Sequence, residues 1–422
     1  MYEINTINKV TFIFSPFQGM ESASLGVFLR IGSRFEKKPV KGIAHFLEHM
    51  LFKGSKKYSH RQIKREVEGR GGDLNAFTSQ EITAYYANFL SKNLRYTLDI
   101  LLDMVYNPLL KTADINKERT VILEEIKMYN DLPAPRAIML LDRLLWENHP
   151  LGEEIIGYNS TVNKINRNDL NSFKNKYYIP SNTVIAFSGA ACKKEVSDFL
   201  KLKTVPNNNR VKLRTVAPVE LKGIQIKCEK KSLHQSHLCV GFRSISYLSK
   251  DKTAAQLINI ILGANMSSRL FESLREKKSL CYDVSTELRK YKDSGAFVIH
   301  VGLDKGKILI ALRTIMDELS RIKEKEVSNK ELSRAKDYFL GQVTMGLERP
   351  GGRMFYAAQS YINLGRIDLL SDIKKKIKLI NAQHLKKIAQ SIFKFSNMCI
   401  SCVGDIDEGI EEKIRKIVNN GY

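Results

Sequence analysis

The chain has 422 residues, of which 43% are hydrophobic and 27% charged, and its formal net charge is +23 at pH 7. This length allows two or more domains with buried cores, and the hydrophobic fraction excludes an intrinsically disordered chain. No stretch reaches the roughly 18 apolar residues of a membrane span, and the first residues lack the basic and apolar regions of a signal peptide. We therefore expect a cytoplasmic protein without a membrane span.

The positive charge comes from lysines that are spread along helical segments, such as residues 321–336, and mixed with glutamates. Proteins that recognise nucleic acid usually combine a basic patch with a recognition motif or interleaved aromatic side chains. This sequence has neither. We interpret the charge as a solvated surface and predict no specific nucleic-acid partner.

The first predicted strand, residues 23–30, is followed by a helical pattern at residues 42–52. This helix contains His45 and His49, four positions apart, with Glu48 between them. On a helix this spacing places both imidazoles on one face. The pattern H-x-x-E-H is the inverzincin motif, and such residues can hold zinc and activate water on it. We predict one zinc ion per chain, with both histidines as ligands and Glu48 as the general base on zinc-bound water.

A later helical pattern, residues 118–126, offers the third ligand. Glu118 and Glu125 are seven positions apart and share a face with Val121 and Ile122, so we expect both carboxylates to point inward. Buried carboxylates are costly unless they are paired or bound to a metal. We choose Glu125 as the third zinc ligand and Glu118 as a neighbour that orients a ligand histidine.

Neither the cysteines nor the remaining histidines predict a second site. Cys399 and Cys402 form a CxxC pair, but the residues around them favour a strand, in which positions three apart face opposite sides. His237 lies near the start of a strand, and His300 has no nearby partner in the sequence. We expect no redox chemistry at the cysteines and assign no function to these histidines.

The two halves of the chain follow one plan. A strand at residues 23–30 corresponds to a strand at residues 236–243, which precedes an apolar helix at residues 254–262. Asn-Lys-Glu occurs at residues 116–118 and again at residues 329–331, a separation of 329 − 116 = 213 positions. This repeat supports a duplicated domain of ordinary size. The metal residues have no counterpart in the second copy.

We predict a zinc-binding catalytic domain at residues 1–203, a linker at residues 204–222 and a homologous domain without metal ligands at residues 223–422. The linker begins with a polar stretch opened by proline, which is typical of linkers. Alternating strands such as residues 81–89 indicate an α+β fold. Each domain should have a mainly antiparallel sheet with helices packed on one face.

Taken in order, these motifs resemble the insulinase/pitrilysin superfamily of zinc peptidases, in its processing-peptidase-like branch of two-domain chains. The resemblance extends essentially from end to end. In this family the second glutamate follows the second histidine by about 76 residues, and here 125 − 49 = 76. The matching segments are residues 45–54, 71–78, 149–152, 178–182, 267–271 and 274–277.

The resemblance implies half of a clamshell, in which a peptide adds as a strand to a sheet edge inside a closed chamber. The segment that matches Asn75 and Ala76 borders this peptide. Arg275 and Tyr282 match a pair that reaches from the second domain to hold the substrate and polarise its carbonyl. The resemblance thus implies a zinc endopeptidase that cleaves short or unfolded peptides, as a homodimer or as a heterodimer with an inactive relative.

One alternative stays open at this point. The chain could be a catalytically silent subunit that binds peptides or assists assembly of a heterodimeric peptidase. Family members of that kind usually lack metal residues, whereas His45, His49 and Glu125 are all present here. The presence of the complete set favours the enzyme.

Overall fold

The computed structural model describes residues 2–17, 19–203, 209–232 and 234–421. The chain forms two compact units, each built around one sheet. The first unit comprises Met1–Lys127, Glu153–Arg214 and Thr344–Ile367. The second unit comprises Met128–Gly152, Thr215–Val343 and Asp368–Tyr422. Within the described ranges, no helix combines the length and apolar composition needed to cross a bilayer.

Each sheet is mixed but mainly antiparallel, as predicted. The strands of the first unit are β1 (Glu3–Ile7), β2 (Val10–Pro16), β3 (Ser22–Leu29), β4 (Asp73–Thr78), β5 (Thr83–Leu90) and β6 (Thr183–Gly189). The strands of the second unit are β7 (Gln225–Lys230), β8 (Gln235–Ser244), β9 (Cys281–Lys290), β10 (Gly295–Asp304) and β11 (Cys399–Gly404). The strand orders are β1-β2-β6-β3-β5-β4 and β7-β11-β8-β10-β9. Only the β2–β6 and β7–β11 pairs of these sheets are parallel.

Helices account for most of the remaining regular structure. The helices are α1 (Ile43–Leu51), α2 (His60–Glu68), α3 (Leu94–Tyr106), α4 (Thr112–Asp131), α5 (Pro133–Leu145), α6 (Asn159–Val162), α7 (Arg167–Tyr177), α8 (Lys193–Lys203), α9 (Lys252–Leu262), α10 (Ile308–Glu324), α11 (Asn329–Leu347), α12 (Pro350–Leu364), α13 (Leu370–Lys378), α14 (Ala382–Ile392) and α15 (Ile410–Gly421). A π-helix spans Phe271–Lys277.

The sheet of the first unit is covered on both faces. Leu25 and Val27 of β3 pack into a core with α1 and α3, as expected for helices on one face. Phe28, which points to the opposite face, packs into a second core with Met354 and Ala357 of α12. The sequence did not predict this second layer. Because both faces are buried, central strands such as β6 are apolar almost without interruption.

The second unit repeats this arrangement. Leu238 of β8 packs with α9, α10 and α14, whereas Cys239 faces the core that α5 completes. Cys399 and Cys402 lie on β11, are buried, and belong to opposite cores. The prediction that this CxxC pair belongs to a strand is therefore confirmed.

Two helices are exchanged between the halves of the sequence. Helix α5 follows α4 in the first half but packs on β8 and β11 of the second unit. Helix α12 belongs to the second half and packs on β3 and β6 of the first unit. The domain ranges predicted from the sequence place α5 in the first domain and α12 in the second. In the structure, α5 belongs to the second unit and α12 to the first. Residues 204–208 of the predicted linker lie outside the described residues, and residues 209–222 contain no helix or strand.

Candidate metal centre

Helix α1 carries the H-x-x-E-H motif, and its pattern of burial explains why it folds here. Phe46, Leu47 and Met50 are fully buried in the core of the first unit. His45 and His49 lie on the side of the helix that is only partly buried. Hydrophobic burial therefore fixes the helix and leaves the imidazoles along the opposite stripe.

Helix α4 brings Glu125 to this stripe. Its Oε2 lies 3.6 Å from His49 Nε2 and 3.9 Å from His45 Nε2. Zinc–ligand bonds of about 2.0–2.2 Å in a tetrahedron place ligand atoms roughly 3.3 Å apart, so small side-chain movements would close this site around zinc. In the described part of the chain, these three residues form the group of histidine, cysteine and acidic side chains that could hold a metal ion.

The histidines differ in their electrostatic surroundings. Burial, followed by the neighbouring His49, lowers the pKa of His45 to about 3, so its imidazole is neutral and can donate a lone pair. Burial opposes protonation of His49, but its hydrogen bond to Glu118 and the charge of Glu125 together raise its pKa. The two carboxylates that flank His49 therefore set its protonation in the metal-free chain.

Glu118 contacts the His49 ring nitrogen that points away from Glu125. Its Oε2 lies 3.1 Å from His49 Nδ1, so an Nδ1–H tautomer donates to Glu118 and turns the Nε2 lone pair toward Glu125. Lys53 forms an ion pair with the other oxygen of Glu118. Burial would raise the pKa of Glu118, but His49 and Lys53 hold it below its ordinary value. Glu118 is thus a charged acceptor, the state that orienting a ligand histidine requires.

Glu48 is held by a residue that the sequence analysis missed. Thr78 Oγ1, at the end of β4, donates a hydrogen bond of 2.5 Å to Glu48 Oε2. Burial raises the pKa of Glu48, while the Thr78 hydrogen bond and His49 lower it. Thr78 lies inside the family-like segment at residues 71–78, but nothing in its spacing identifies Glu48 as its partner.

Asn75 and Ala76 lie on β4, the outer strand of the first sheet. They pair with Tyr86 and Tyr85 of β5, and among the described residues no strand pairs with the other side of β4. The same strand ends at Thr78, which contacts Glu48. An open strand edge therefore leads directly to the Glu48 carboxylate, beside the candidate metal ligands.

Arg275 and Tyr282 meet in the second unit. The Arg275 guanidinium lies 5.1 Å from the centre of the Tyr282 ring and 4.8 Å from that of Phe271. The β9–β10 register jumps so that Gly302 pairs with Asp283 but Leu303 pairs with Cys281, which leaves Tyr282 as the extra residue of a bulge. Its side chain is 77% exposed. Bulges and π-helices often redirect side chains near functional sites.

His300 has no partner nearby in the sequence, but the fold gives it two. Its Nε2 lies 3.1 Å from His237 Nδ1, and its Nδ1 lies 3.5 Å from Asp283. Neighbouring strands β8, β9 and β10 bring these residues together, which no local spacing could reveal. These contacts form a hydrogen-bonded row across the sheet.

Two family descriptions match most of the chain. Residues 15–159 match the family described as "Insulinase (Peptidase family M16)", and residues 164–339 match "Peptidase M16 inactive domain". The chain belongs to peptidase family M16. The resemblance stated from the sequence is confirmed, and the candidate metal ligands of this M16 chain, His45, His49 and Glu125, all lie within the first match.

Relatives of similar length carry names that indicate zinc peptidases. The chain is 31% identical over 397 residues to an uncharacterized zinc protease of Bacillus subtilis (strain 168), which covers 92% of this chain and 94% of the relative. It is 30% identical over 390 residues to an uncharacterized zinc protease of Rickettsia bellii (strain RML369-C), with 92% and 94% covered.

Solved structures share the fold. A protease from Helicobacter pylori superimposes with a TM-score of 0.90 at 21% identity, covering 96% of this chain and 99% of that one. A structure from Pseudomonas fluorescens described as a peptidase M16 inactive domain gives 0.86 at 20% identity, with 96% and 98% covered. The predicted α+β fold of two similar domains is therefore confirmed.

Proposed function

We propose that this M16 chain is a zinc-dependent endopeptidase that cleaves short or unfolded peptides. The observation that carries the proposal is the convergence of His45, His49 and Glu125, with Glu48 one position from a ligand and held by Thr78. The names of the relatives as zinc proteases support the same class of reaction.

One zinc ion per chain would be held by His45 Nε2, His49 Nε2 and a carboxylate oxygen of Glu125, because these atoms already face one another. Zinc, when bound, supplies a Lewis acid that polarises a carbonyl and makes water acidic enough to attack. Glu118 holds His49 in the tautomer that offers Nε2.

Glu48 moves the protons. It accepts one from the attacking water and then gives it to the amine that leaves when the peptide bond breaks. Thr78 fixes one of its oxygens, which reduces the conformations open to the side chain. In the metal-free chain burial raises the pKa of Glu48, the direction that makes a glutamate a better proton acceptor.

The substrate would add to the free edge of β4 beside Asn75 and Ala76, through backbone hydrogen bonds. Arg275 and Tyr282 would bind the peptide and stabilise charge on the scissile carbonyl. The support is that Tyr282 is exposed on a bulge and stacked with Arg275. We also propose that two chains, identical or one of them inactive, form the chamber. A monomer in light scattering that still cleaves peptides would contradict the chamber.

The Glu48→Gln variant tests the mechanism. Zinc content should stay at one ion per chain, because Glu48 is not one of the proposed ligands, whereas cleavage of a quenched peptide library should fall by about 10²–10⁴-fold. Full activity in this variant would rule out Glu48 as the base. A wild-type chain that binds zinc but cleaves no peptide would favour the silent subunit.

A further inference from the structure

The start of helix α1 has an unusual cap. The first N–H groups of a helix lack partners within the helix, and a serine or aspartate at the N-cap usually accepts from them. Here the N-cap is Gly42, with φ of 92° and no side-chain cap hydrogen bond. A Cβ at this position would lie 2.5 Å from the Ile156 carbonyl oxygen. No capping side chain can therefore stand at the N-cap itself.

Glu36 provides the missing acceptors from outside the helix. Its Oε2 accepts from the Gly42 N–H at 2.9 Å, and its Oε1 accepts from the Ala44 N–H at 2.8 Å. The carboxylate also lies at the positive end of the helix dipole, where negative charge is favourable. Glu36 is buried, and a buried carboxylate is costly without such partners. Both of its oxygens thus bind the first turn of α1.

The segment that carries Glu36 is itself anchored beside β4. The backbone N–H groups of Ser33 and Arg34 donate to the carbonyls of Ser79 and Gln80 at 3.1 and 2.9 Å. Ser79 directly follows Thr78, which holds Glu48. The segment therefore links the start of α1 to the strand end that positions Glu48.

His45 depends on this first turn more than His49 does. Glu118 holds the His49 ring through Nδ1, whereas the buried Nδ1 of His45 has no hydrogen-bond partner within the described ranges. His45 directly follows Ala44, whose N–H donates to Glu36. The direction of its imidazole is consequently set by the backbone of α1 and by packing.

We infer that Glu36 is a positioning residue of the metal centre, which fixes the first turn of α1 and thereby places His45 opposite Glu125. This inference rests on the proposed function, because it assigns Glu36 a role in holding zinc. Metal–ligand distances in a formed site lie within about 0.2 Å of their standard values, so the ligand atoms must be placed accurately. Loss of the two Glu36 hydrogen bonds should therefore weaken zinc binding about 10–100-fold, as does loss of a residue that orients a metal ligand.

The Glu36→Gln variant tests this role in the full chain. Glutamine keeps the size of the side chain but turns an amide NH₂ toward one of the two N–H groups. Zinc affinity is measured by competition with a chromophoric chelator, and thermal unfolding is followed without metal. Asp103→Asn is the control, since Asp103 is a buried carboxylate of the same unit that accepts from the Lys57 N–H at 2.8 Å and from Asn107 Nδ2 at 3.0 Å, neither of which belongs to α1. We expect a 10–100-fold loss for Glu36→Gln and wild-type affinity for the control.

A double substitution separates positioning from general destabilisation. In a His45→Ala background, Glu36→Gln should cause no further loss of zinc affinity, because its effect is transmitted through His45. An additive loss would overturn the inference, as would wild-type affinity in Glu36→Gln or an equal loss in Asp103→Asn. If Glu36→Gln does not fold, Glu36→Asp is tested in its place. Wild-type zinc affinity in Glu36→Asp would count against the positioning role of Glu36. A wild-type chain without zinc affinity would overturn the proposed function as well.

Discussion

Replacing Glu118 with glutamine removes the charge that accepts a hydrogen bond from His49 Nδ1 at 3.1 Å. We expect zinc to bind about 10–100-fold more weakly, the usual effect of losing a carboxylate that orients a ligand histidine. This range corresponds to about 1.4–2.8 kcal/mol, since each tenfold change in affinity equals about 1.4 kcal/mol. A hydrogen bond to a charged group contributes about 1.5–3 kcal/mol, so two independent estimates agree.

The surroundings of Glu118 keep the expected loss within this range. Residue 118 is buried, so a glutamine there stays beside His49 and its carbonyl can still accept one hydrogen bond. Lys53, the other partner of Glu118, has a side chain that is 28% exposed. It can turn toward water, and the substitution leaves no buried charge without a partner.

The assay is chelator competition for zinc at neutral pH, with Glu124→Gln as the matched control. Glu124 is also on α4 and adjoins Glu125, but it is exposed and pairs with Lys127 at 2.6 Å. Surface pairs of this kind contribute little, so the control should bind zinc as the wild type does. Unchanged affinity in Glu118→Gln, or an equal loss in both variants, would refute the orienting role.

Three further outcomes follow from the same geometry. Thr78→Val removes a hydrogen bond that lowers the pKa of Glu48, so this pKa should rise. The acid limb of the plot of kcat/KM against pH should then move to higher pH, and an unmoved limb would count against Glu48 as the base. Met354→Ala should lower the free energy of unfolding in denaturant by about 2–5 kcal/mol, because Met354 is fully buried beneath the sheet. The control Met345→Ala, at a position that is 52% exposed, should change it by less than about 0.5 kcal/mol. Tyr282→Phe should reduce kcat about 10²-fold if the hydroxyl stabilises the scissile carbonyl, and wild-type kinetics would remove Tyr282 from the mechanism.

The part of the site that lies on one helix face could be predicted from the sequence. The spacing of His45, Glu48 and His49 is local, and helical periodicity alone places them together. Helical periodicity also predicts that Glu125 points inward on the face it shares with Glu118, and in the structure Glu125 Oε2 lies within 4 Å of Nε2 of both histidines. Whether this group binds zinc stays a prediction.

Side chains that meet through tertiary packing could not be predicted. Thr78 contacts Glu48 across 30 positions, and Glu36 reaches α1 only because the intervening segment folds back. His237 and His300 meet through strand register, which a single sequence does not reveal. A short-range pattern carries no information about these pairings.

The exchange of helices between the two halves could not be predicted for the same reason, because it also depends on tertiary packing. An amphipathic pattern shows that α5 and α12 each bury an apolar face, but it cannot identify the sheet against which they bury it. Short connections suggest the sheet of the same half, since consecutive elements are usually neighbours. Each helix instead covers the remaining face of the other sheet.

This exchange has a consequence for synthesis on the ribosome. The last strand of the first unit ends at Gly189, but Met354, which seals its second core, is made 354 − 189 = 165 residues later. Translation adds about 5–20 residues per second. Roughly 8–33 seconds therefore separate the synthesis of the last strand of this sheet from that of Met354, which covers Phe28. A nascent chain that folded this sheet at once would expose an apolar face during this interval, and the first unit can be completed only after residue 354 of 422 has been made.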